Sequence, residues 1–288
     1  MKKKKLILLF ILVGILTLAG FIWYWLDSNR VVNRAVEKLA QANTQSFTGN
    51  VTILNQETGQ ELLGEQASID IAVSGLFERQ AEGWDSLSAD VKITTETESV
   101  SMRIEGKIIF IGDKAYVKII KAPPAFPALV QLKDIWIALP RGGDKTLSQL
   151  NSNGALFTNT QRIGIKDIDG KKINTYQAEA DQTVILHMMD GVAGLLGTRL
   201  SEEQIAGFRN QVKNADSAII EMAIAPWTRD LHWFAATLAT PDSNEIDLTL
   251  TLKNRNHPVD IVAPADAVSL EDVLTAAKAQ NTKKQPVQ

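Results

Sequence analysis

The sequence predicts a mainly β protein with helices, of the α+β class, on three observations. Apolar and polar residues alternate through much of residues 90–140, which is typical of strands that bury one face. Turn signals at Gly112-Asp113-Lys114 and at Asp169-Gly170 each join two such stretches, so neighbouring strands should pair antiparallel. Helix signals are fewer, and they fall at about residues 28–43, 182–190, 202–213 and 269–279.

Composition restricts the function. The chain has 288 residues and no cysteine, which excludes disulfides and thiolate metal sites. Its three histidines are far apart and lack the spacing of metal ligands. The net charge is −3, and because four lysines lie within the first five residues, the remainder carries about −7 (−3 minus 4). Such a chain is not expected to bind nucleic acid.

The N-terminus predicts a membrane anchor. Lys2–Lys5 precede an uninterrupted apolar run at residues 6–26, which as a helix spans roughly 31 Å, about the thickness of the hydrocarbon core. Aromatic residues end the run, and the positive-inside rule places residues 1–5 in the cytoplasm and everything after Asp27 outside it. A cleaved signal peptide is the alternative, although the bulky end of the run is a poor cleavage site.

One domain is expected after the anchor, at residues 27–279, followed by a disordered tail at residues 280–288. Ser28 is the expected cap of a first helix that runs to about Thr44. Strand patterns then appear at Phe47–Ile53 and around Ile69–Val73.

The central hairpin has a definite predicted register. If Asp113 and Lys114 form the two-residue loop, Phe110 lies opposite Val117 and Ile108 opposite Ile119. The proline-rich residues 121–128 that follow should be neither strand nor helix.

Further elements are predicted in the second half of the chain. Asp169-Gly170 should close a hairpin, and Asp181 and Ser201 should each open a helix. Strand patterns return at residues 220–224, 231–238 and 246–252, and a last short strand is expected at Pro258–Pro264. Ser269 should cap a helix that runs through Ala279.

The apolar phase of the strands is the candidate binding surface, and two interpretations remain open. It is either an ordinary core closed by helices or the lining of a ligand cavity, because both require the same alternation. Likewise, residues 184–196, which are rich in methionine and glycine, form either an adaptable lid or a core helix. The candidate lining residues are Ile69, Ile71, Val91, Ile93, Met102, Ile104, Ile108, Phe110, Val117, Ile119, Met188 and Met189.

No enzyme motif accompanies this surface. The sequence has no GxSxG, no HExxH, no P-loop and no GxGxxG before a helix. Paired acidic residues fit a turn and the first turn of a helix, where carboxylates favour the helix dipole. We therefore expect neither catalysis nor a cofactor.

Three segments together resemble the LolA/LolB and LppX/LprG-type envelope lipoprotein superfamily. They are IIFIGDKAYVKI followed by LKDIWIALP, IDGKKINTYQAEAD, and PVDIVAPADAVSLEDVL. The resemblance covers nearly all of the chain after the anchor, as pattern more than as identity. It implies a bacterial envelope protein with an open antiparallel half-barrel sheet wrapped around helices, whose apolar cavity takes acyl chains.

The resemblance has one departure. Leu18-Ala19-Gly20-Phe21 resembles a lipobox in which phenylalanine replaces the lipidated cysteine, so a spanning helix would replace the lipid anchor. A tethered chain cannot shuttle as LolA-type carriers do. We therefore expect a membrane-anchored protein that binds a lipid, a lipoprotein acyl chain or another apolar ligand. The alternative is a sensory or scaffolding module that binds a protein partner and no lipid.

Overall fold

The computed structural model describes residues 27–55, 67–79, 85–97, 101–140, 157, 159–179, 217–239, 245–273 and 275. The predicted anchor, the predicted helices at 182–190 and 202–213 and the predicted tail lie outside these residues. Within the described part of the chain, no helix is both long and apolar enough to cross a membrane.

One helix precedes a large open sheet. Helix α1 spans Ser28–Ala40, and a short helix α2 spans Pro127–Gln131. The strands are β1 Thr44–Asn55, β2 Ala67–Glu78, β3 Ser86–Glu96, β4 Ser101–Ile111, β5 Lys114–Lys121, β6 Trp136–Pro140, β7 Gln161–Ile168, β8 Lys171–Glu179, β9 Ser217–Ile224, β10 Leu231–Ala239, β11 Glu245–Lys253 and β12 Val268–Ser269.

The twelve strands form a single sheet in the order β12-β6-β5-β4-β3-β2-β1-β11-β10-β9-β8-β7. The sheet consists of two antiparallel meanders, β1–β6 and β7–β11. They are joined by the pairing of β1 with β11. The mainly β class and the open sheet are therefore confirmed. The sheet is not purely antiparallel, since Val268 and Ser269 pair in parallel with Ile137 and Ala138.

The two predicted hairpins had different outcomes. Asp169 and Gly170 form the loop between β7 and β8 with φ angles of 51° and 75°, as an Asp-Gly turn requires. In the central hairpin the predicted register was wrong by two residues, because Ile111 pairs with Lys114 and the loop is Gly112-Asp113. Gly112 has a φ of 59°, and glycine reaches positive φ at the first loop position without strain. A shift of two residues keeps every side chain on its predicted face.

The first helix begins at Ser28 as predicted, but its predicted cap and its predicted end were wrong. Asp27, not Ser28, caps α1, and its carboxylate accepts a hydrogen bond from the backbone N–H of Asn29 at 3.0 Å. A carboxylate at this position also favours the helix dipole. The helix ends at Ala40, four residues before the predicted end at Thr44, because Thr44 already begins β1.

Two corrections concern the loops around β6 and β12. The predicted strand at Pro258–Pro264 does not form, and the strand pairing comes instead at Val268–Ser269. Residues 121–128 were predicted to be neither strand nor helix, but β5 ends at Lys121 and α2 begins at Pro127, where the missing N–H of proline is not needed. At the C-terminus, Ser269 does cap a helix: its Oγ accepts from the backbone N–H of Asp272 at 3.1 Å.

Helix α1 packs against one face of the sheet, which we call the inner face. Its buried residues Val31, Val32 and Ala35 lie in the main core with apolar side chains of β8–β11. Ile220, Met222 and Ile224 of β9 are 0–2% exposed in this core. The helix therefore covers the β8–β11 half of the inner face.

The opposite face, which we call the outer face, has a smaller core over β4 and β5. After β11 the chain crosses this face, and Ile261 packs against Ile109 and Tyr116. The crossing is fixed where it begins, because Asn256 donates its backbone N–H to the Thr44 carbonyl at 2.9 Å. We call residues 258–267 the strap.

Strands β2 and β3 approach each other closely on the inner face. A Cβ added to Gly75 would lie 2.2 Å from the Ser88 carbonyl oxygen and 2.9 Å from Cα of Ala89. Strands in a flat sheet are about 4.8 Å apart, and Cβ atoms stand clear of the neighbouring backbone. Strand β3 therefore bends over β2 on the inner side, where glycine permits the close approach.

Candidate apolar binding face

The candidate site is the inner face of β1–β6. Register fixes its membership, since side chains that pair across strands share a face. Two rows of side chains that pair across strands each cross six strands, from β10 to β4. The rows are two residues apart along each strand. The first row is Ala236, Leu248, Val51, Ile71, Ile93 and Ile104, and the second is Phe234, Leu250, Gly49, Val73, Val91 and Gly106.

Ten of the twelve candidate residues lie on described strands, and the register places all ten on the inner face. They are Ile69, Ile71, Val91, Ile93, Met102, Ile104, Ile108, Phe110, Val117 and Ile119. Met188 and Met189 lie outside the described residues, together with the whole segment 184–196. The structure thus brings the ten together on one surface, and their role in binding stays a prediction.

Burial divides this surface into two parts. Near the β4–β5 turn, the inner-face residues Ala89, Phe110, Ala115 and Ile137 are only 4–8% exposed. Along the rest of the strands the inner-face side chains, such as Ile71 and Val117, are half-buried. The surface is therefore packed at one end and retains accessible apolar area towards the other.

The two faces of β1–β6 differ in charge. Among the side chains that the structure describes at the paired positions of β1–β6, none on the inner face is charged, and the polar ones are Gln45 and Thr95. The outer face of the same strands has ion pairs, including Arg103 with Glu105 at 2.6 Å. Charged groups stay hydrated on the outer face because the cost of transferring them to an apolar environment is large.

Sequence reasoning missed part of this face. Phe47, Val51 and Ile53 of β1, together with Ile246 and Leu248 of β11, continue it beyond β2. Their alternation was visible in the sequence, but their membership depends on the β1–β11 pairing, which joins residues about 200 positions apart. Local patterns do not specify such a pairing.

An ion-pair cluster fixes the C-terminal end of α1. Asp230 lies 2.7 Å from Lys38 Nζ and 2.5 Å from Arg255 Nη1, and Lys38 also donates to the Thr228 carbonyl at 2.6 Å. Burial alone would raise the pKa of Asp230. Hydrogen bonds from Lys38 and Thr228 and the charges of Lys38 and Arg255 outweigh that effect, so the pKa of Asp230 is lowered.

Two of the three histidines, His232 and His257, lie on described residues. Burial lowers the pKa of His232, and the opposing charge of Asp230 does not fully compensate. His257 is exposed, and His187 lies outside the described residues. Among the residues that the structure describes, no three His, Asp or Glu side chains come together in a way that could hold a metal ion.

Comparison with solved structures finds matches at low sequence identity. LprF from Mycobacterium bovis is 16% identical, with a TM-score of 0.48 over 83% of this chain and 97% of that one. The lipoprotein LppX from Mycobacterium tuberculosis is 14% identical, with a TM-score of 0.44 over 81% and 97%. A putative outer membrane lipoprotein-sorting protein domain from Vibrio parahaemolyticus is 8% identical, with a TM-score of 0.20 over 80% and 93%.

No protein-family model matches the sequence, and no curated protein matches it. The sequence resembles the LolA/LolB and LppX/LprG-type superfamily, and the solved structures that match it include LppX and a putative outer membrane lipoprotein-sorting protein domain.

Proposed function

We propose that this chain is a membrane-anchored extracytoplasmic protein that binds a lipid, a lipoprotein acyl chain or another apolar ligand on the inner face of β1–β6. One observation supports this most directly. The inner-face side chains that the structure describes on β1–β6 are uncharged and mostly apolar, and most of them are only half-buried.

The dimensions and energetics fit such a ligand. Six strands at about 4.8 Å spacing span roughly 24 Å, a length on the scale of an extended acyl chain. Removing the remaining apolar area from water stabilises a complex by about 25 cal/mol per Å². Binding of this kind requires no catalytic group, only a shaped apolar surface free of charge.

The experiment uses the full chain in its membrane with a phospholipid that carries a photoactivatable diazirine in its acyl chain. After illumination, mass spectrometry of the digested protein locates the crosslinks. We expect crosslinks in peptides of β2–β5 as well as in residues 6–26. Val117→Trp fills inner-face space and should reduce the β2–β5 crosslinks, whereas Thr94→Trp, on the outer face of β3, should not.

Crosslinks confined to residues 6–26 would contradict lipid binding. They would leave an anchored sensory or scaffolding module whose sheet binds a protein partner. A mature chain that is released from the membrane without residues 6–26 would instead contradict the anchor and support a cleaved signal peptide.

A further inference from the structure

The loop between β5 and β6, residues 122–135, exposes apolar side chains to solvent. Ile120 at the end of β5 and Phe126, Val130 and Ile135 in the loop are 39–43% exposed. They share one short stretch of chain, and a cluster of exposed large apolar residues marks an interaction site more often than single ones do. We call these four residues the loop patch.

The loop holds the patch in a defined conformation. Phe126 directly precedes α2, and its carbonyl accepts a hydrogen bond from the backbone N–H of Val130, on α2, at 3.1 Å. The Asp134 N–H donates to the Ile119 carbonyl at 2.8 Å and ties the loop back to β5. The exposure of Phe126 and Val130 therefore belongs to an ordered structure.

The stretch of chain that carries the patch is basic. Residues 118–135 contain the lysines Lys118, Lys121 and Lys133 and one carboxylate, Asp134. Lys133 Nζ lies 4.0 Å from Asp134 at an exposed position, a separation at which the pair contributes little. Apolar side chains among excess lysines complement an anionic bilayer surface, since the lysines meet phosphate groups while the apolar groups enter the interface.

The fold places the patch at the end of the sheet where the predicted anchor joins the domain. The N-terminus of α1 lies beside the start of β7, because the Thr160 N–H donates to the Asn29 side chain at 2.9 Å. In antiparallel order, the start of β7 and the end of β5 lie at the same end of the sheet. Residue 27 and the loop patch therefore occupy one end, and the β4–β5 and β9–β10 turns occupy the other.

We propose that the loop patch is a second membrane contact, which docks on the anionic phospholipid surface of the same membrane from which the anchor emerges. The proposal rests on the proposed anchor at residues 6–26. Docking at this end would turn the half-buried part of the inner face towards the bilayer and its packed part, around Phe110, away from it. Lipid would then reach the inner face without crossing water.

The absence of cysteine makes the test specific to one site. A nitroxide is attached to Val130→Cys in the full chain, reconstituted in vesicles of phosphatidylcholine with a minority of phosphatidylglycerol. Collisions with oxygen, which concentrates in bilayers, are compared with collisions with a water-soluble nickel complex. We expect position 130 to favour oxygen. The matched control Asp113→Cys, on the exposed β4–β5 turn at the other end, should favour nickel.

A second pair of variants tests the charge argument. Each lysine near an anionic surface contributes a factor of about five in affinity, so Lys121→Gln with Lys133→Gln should shift position 130 back towards nickel. The same change should have little effect in vesicles of phosphatidylcholine alone.

The outcomes separate this proposal from the proposed function. Nickel accessibility at position 130 equal to that at position 113, with inner-face crosslinks intact, overturns the docking and leaves lipid binding in place; a patch that instead binds a partner protein gives this result. A chain that does not float with the vesicles overturns the anchor, and the docking proposal with it.

Discussion

Two regions of the inner face have the same side-chain chemistry and different burial. Under α1, Ile220 and Met222 of β9 are at most 2% exposed and belong to the main core. Across β2 and β3, Ile71 and Ile93 occupy equivalent inner-face positions and are half-buried. Alternation therefore determines which face a residue occupies, and the element that covers that face determines whether it is core.

The first prediction contrasts truncations in these two regions and has the largest expected effect. Met222→Ala removes side-chain atoms from a packed site under α1 and should lower the free energy of unfolding by about 2–5 kcal/mol. Ile71→Ala removes a half-buried side chain and should cost less than half as much, because fewer contacts are lost. Urea denaturation of both variants provides the comparison, and equal costs would show that the β2–β3 region is an ordinary core.

The second prediction tests the close approach of β2 and β3 on the inner face. Gly75→Ala places a methyl group against the β3 backbone, which must move, and should cost about 1–3 kcal/mol. Gly164→Ala on the edge strand β7 is the matched control, because no atom lies within 4 Å of the added Cβ. The same denaturation measurement applies, and a neutral Gly75→Ala would contradict the tight bend between β2 and β3.

The third prediction concerns the ion pairs that fix the C-terminal end of α1. Asp230→Asn removes the charge that pairs with Lys38 and Arg255 and should cost about 1–2 kcal/mol. Hydrogen exchange should speed up in the last turn of α1. Asp90→Asn, whose exposed carboxylate lies 3.7 Å from Lys107, should cost no more than about 0.5 kcal/mol. Unchanged exchange in α1 would show that apolar packing alone fixes the helix.

Local patterns predicted most of the strands and the face of the candidate residues. The reason is that period-two alternation and turn chemistry act over a few residues, as at Asp169-Gly170. They predicted the wrong loop in the central hairpin because the sequence Gly112-Asp113-Lys114 offers two dipeptides. Only the positive φ that the first loop position needs selects Gly112.

Long-range features were not predictable in the same way. The alternation in PVDIVAP predicts a strand, but Ile261 of the strap packs on the outer face instead of pairing in the sheet. The continuous apolar run IIFI in β4 was the available signal, because a strand without alternation is buried on both faces. Local patterns do not identify the segment that covers the outer face, because its position depends on the order of all the strands in the sheet.

The last prediction uses pH to loosen one region selectively, and its effect is the smallest. Both shifted groups, Asp230 and His232, lie in or beside the β9–β10 turn under the C-terminal end of α1. Burial lowers the pKa of His232 in the folded state, so the unfolded chain binds the proton more readily. The stability that this group contributes is complete above its unfolded pKa of about 6.5 and is lost as the pH falls through the lower folded pKa. Asp230 acts in the same direction at lower pH, from its unfolded pKa of about 3.9 downwards.

Unfolding titrations between neutral and mildly acidic pH should therefore show a decrease in stability that is reduced in His232→Gln. The exposed His257→Gln should retain the decrease, and a His232→Gln profile identical to that of the parent chain would exclude His232 as its source.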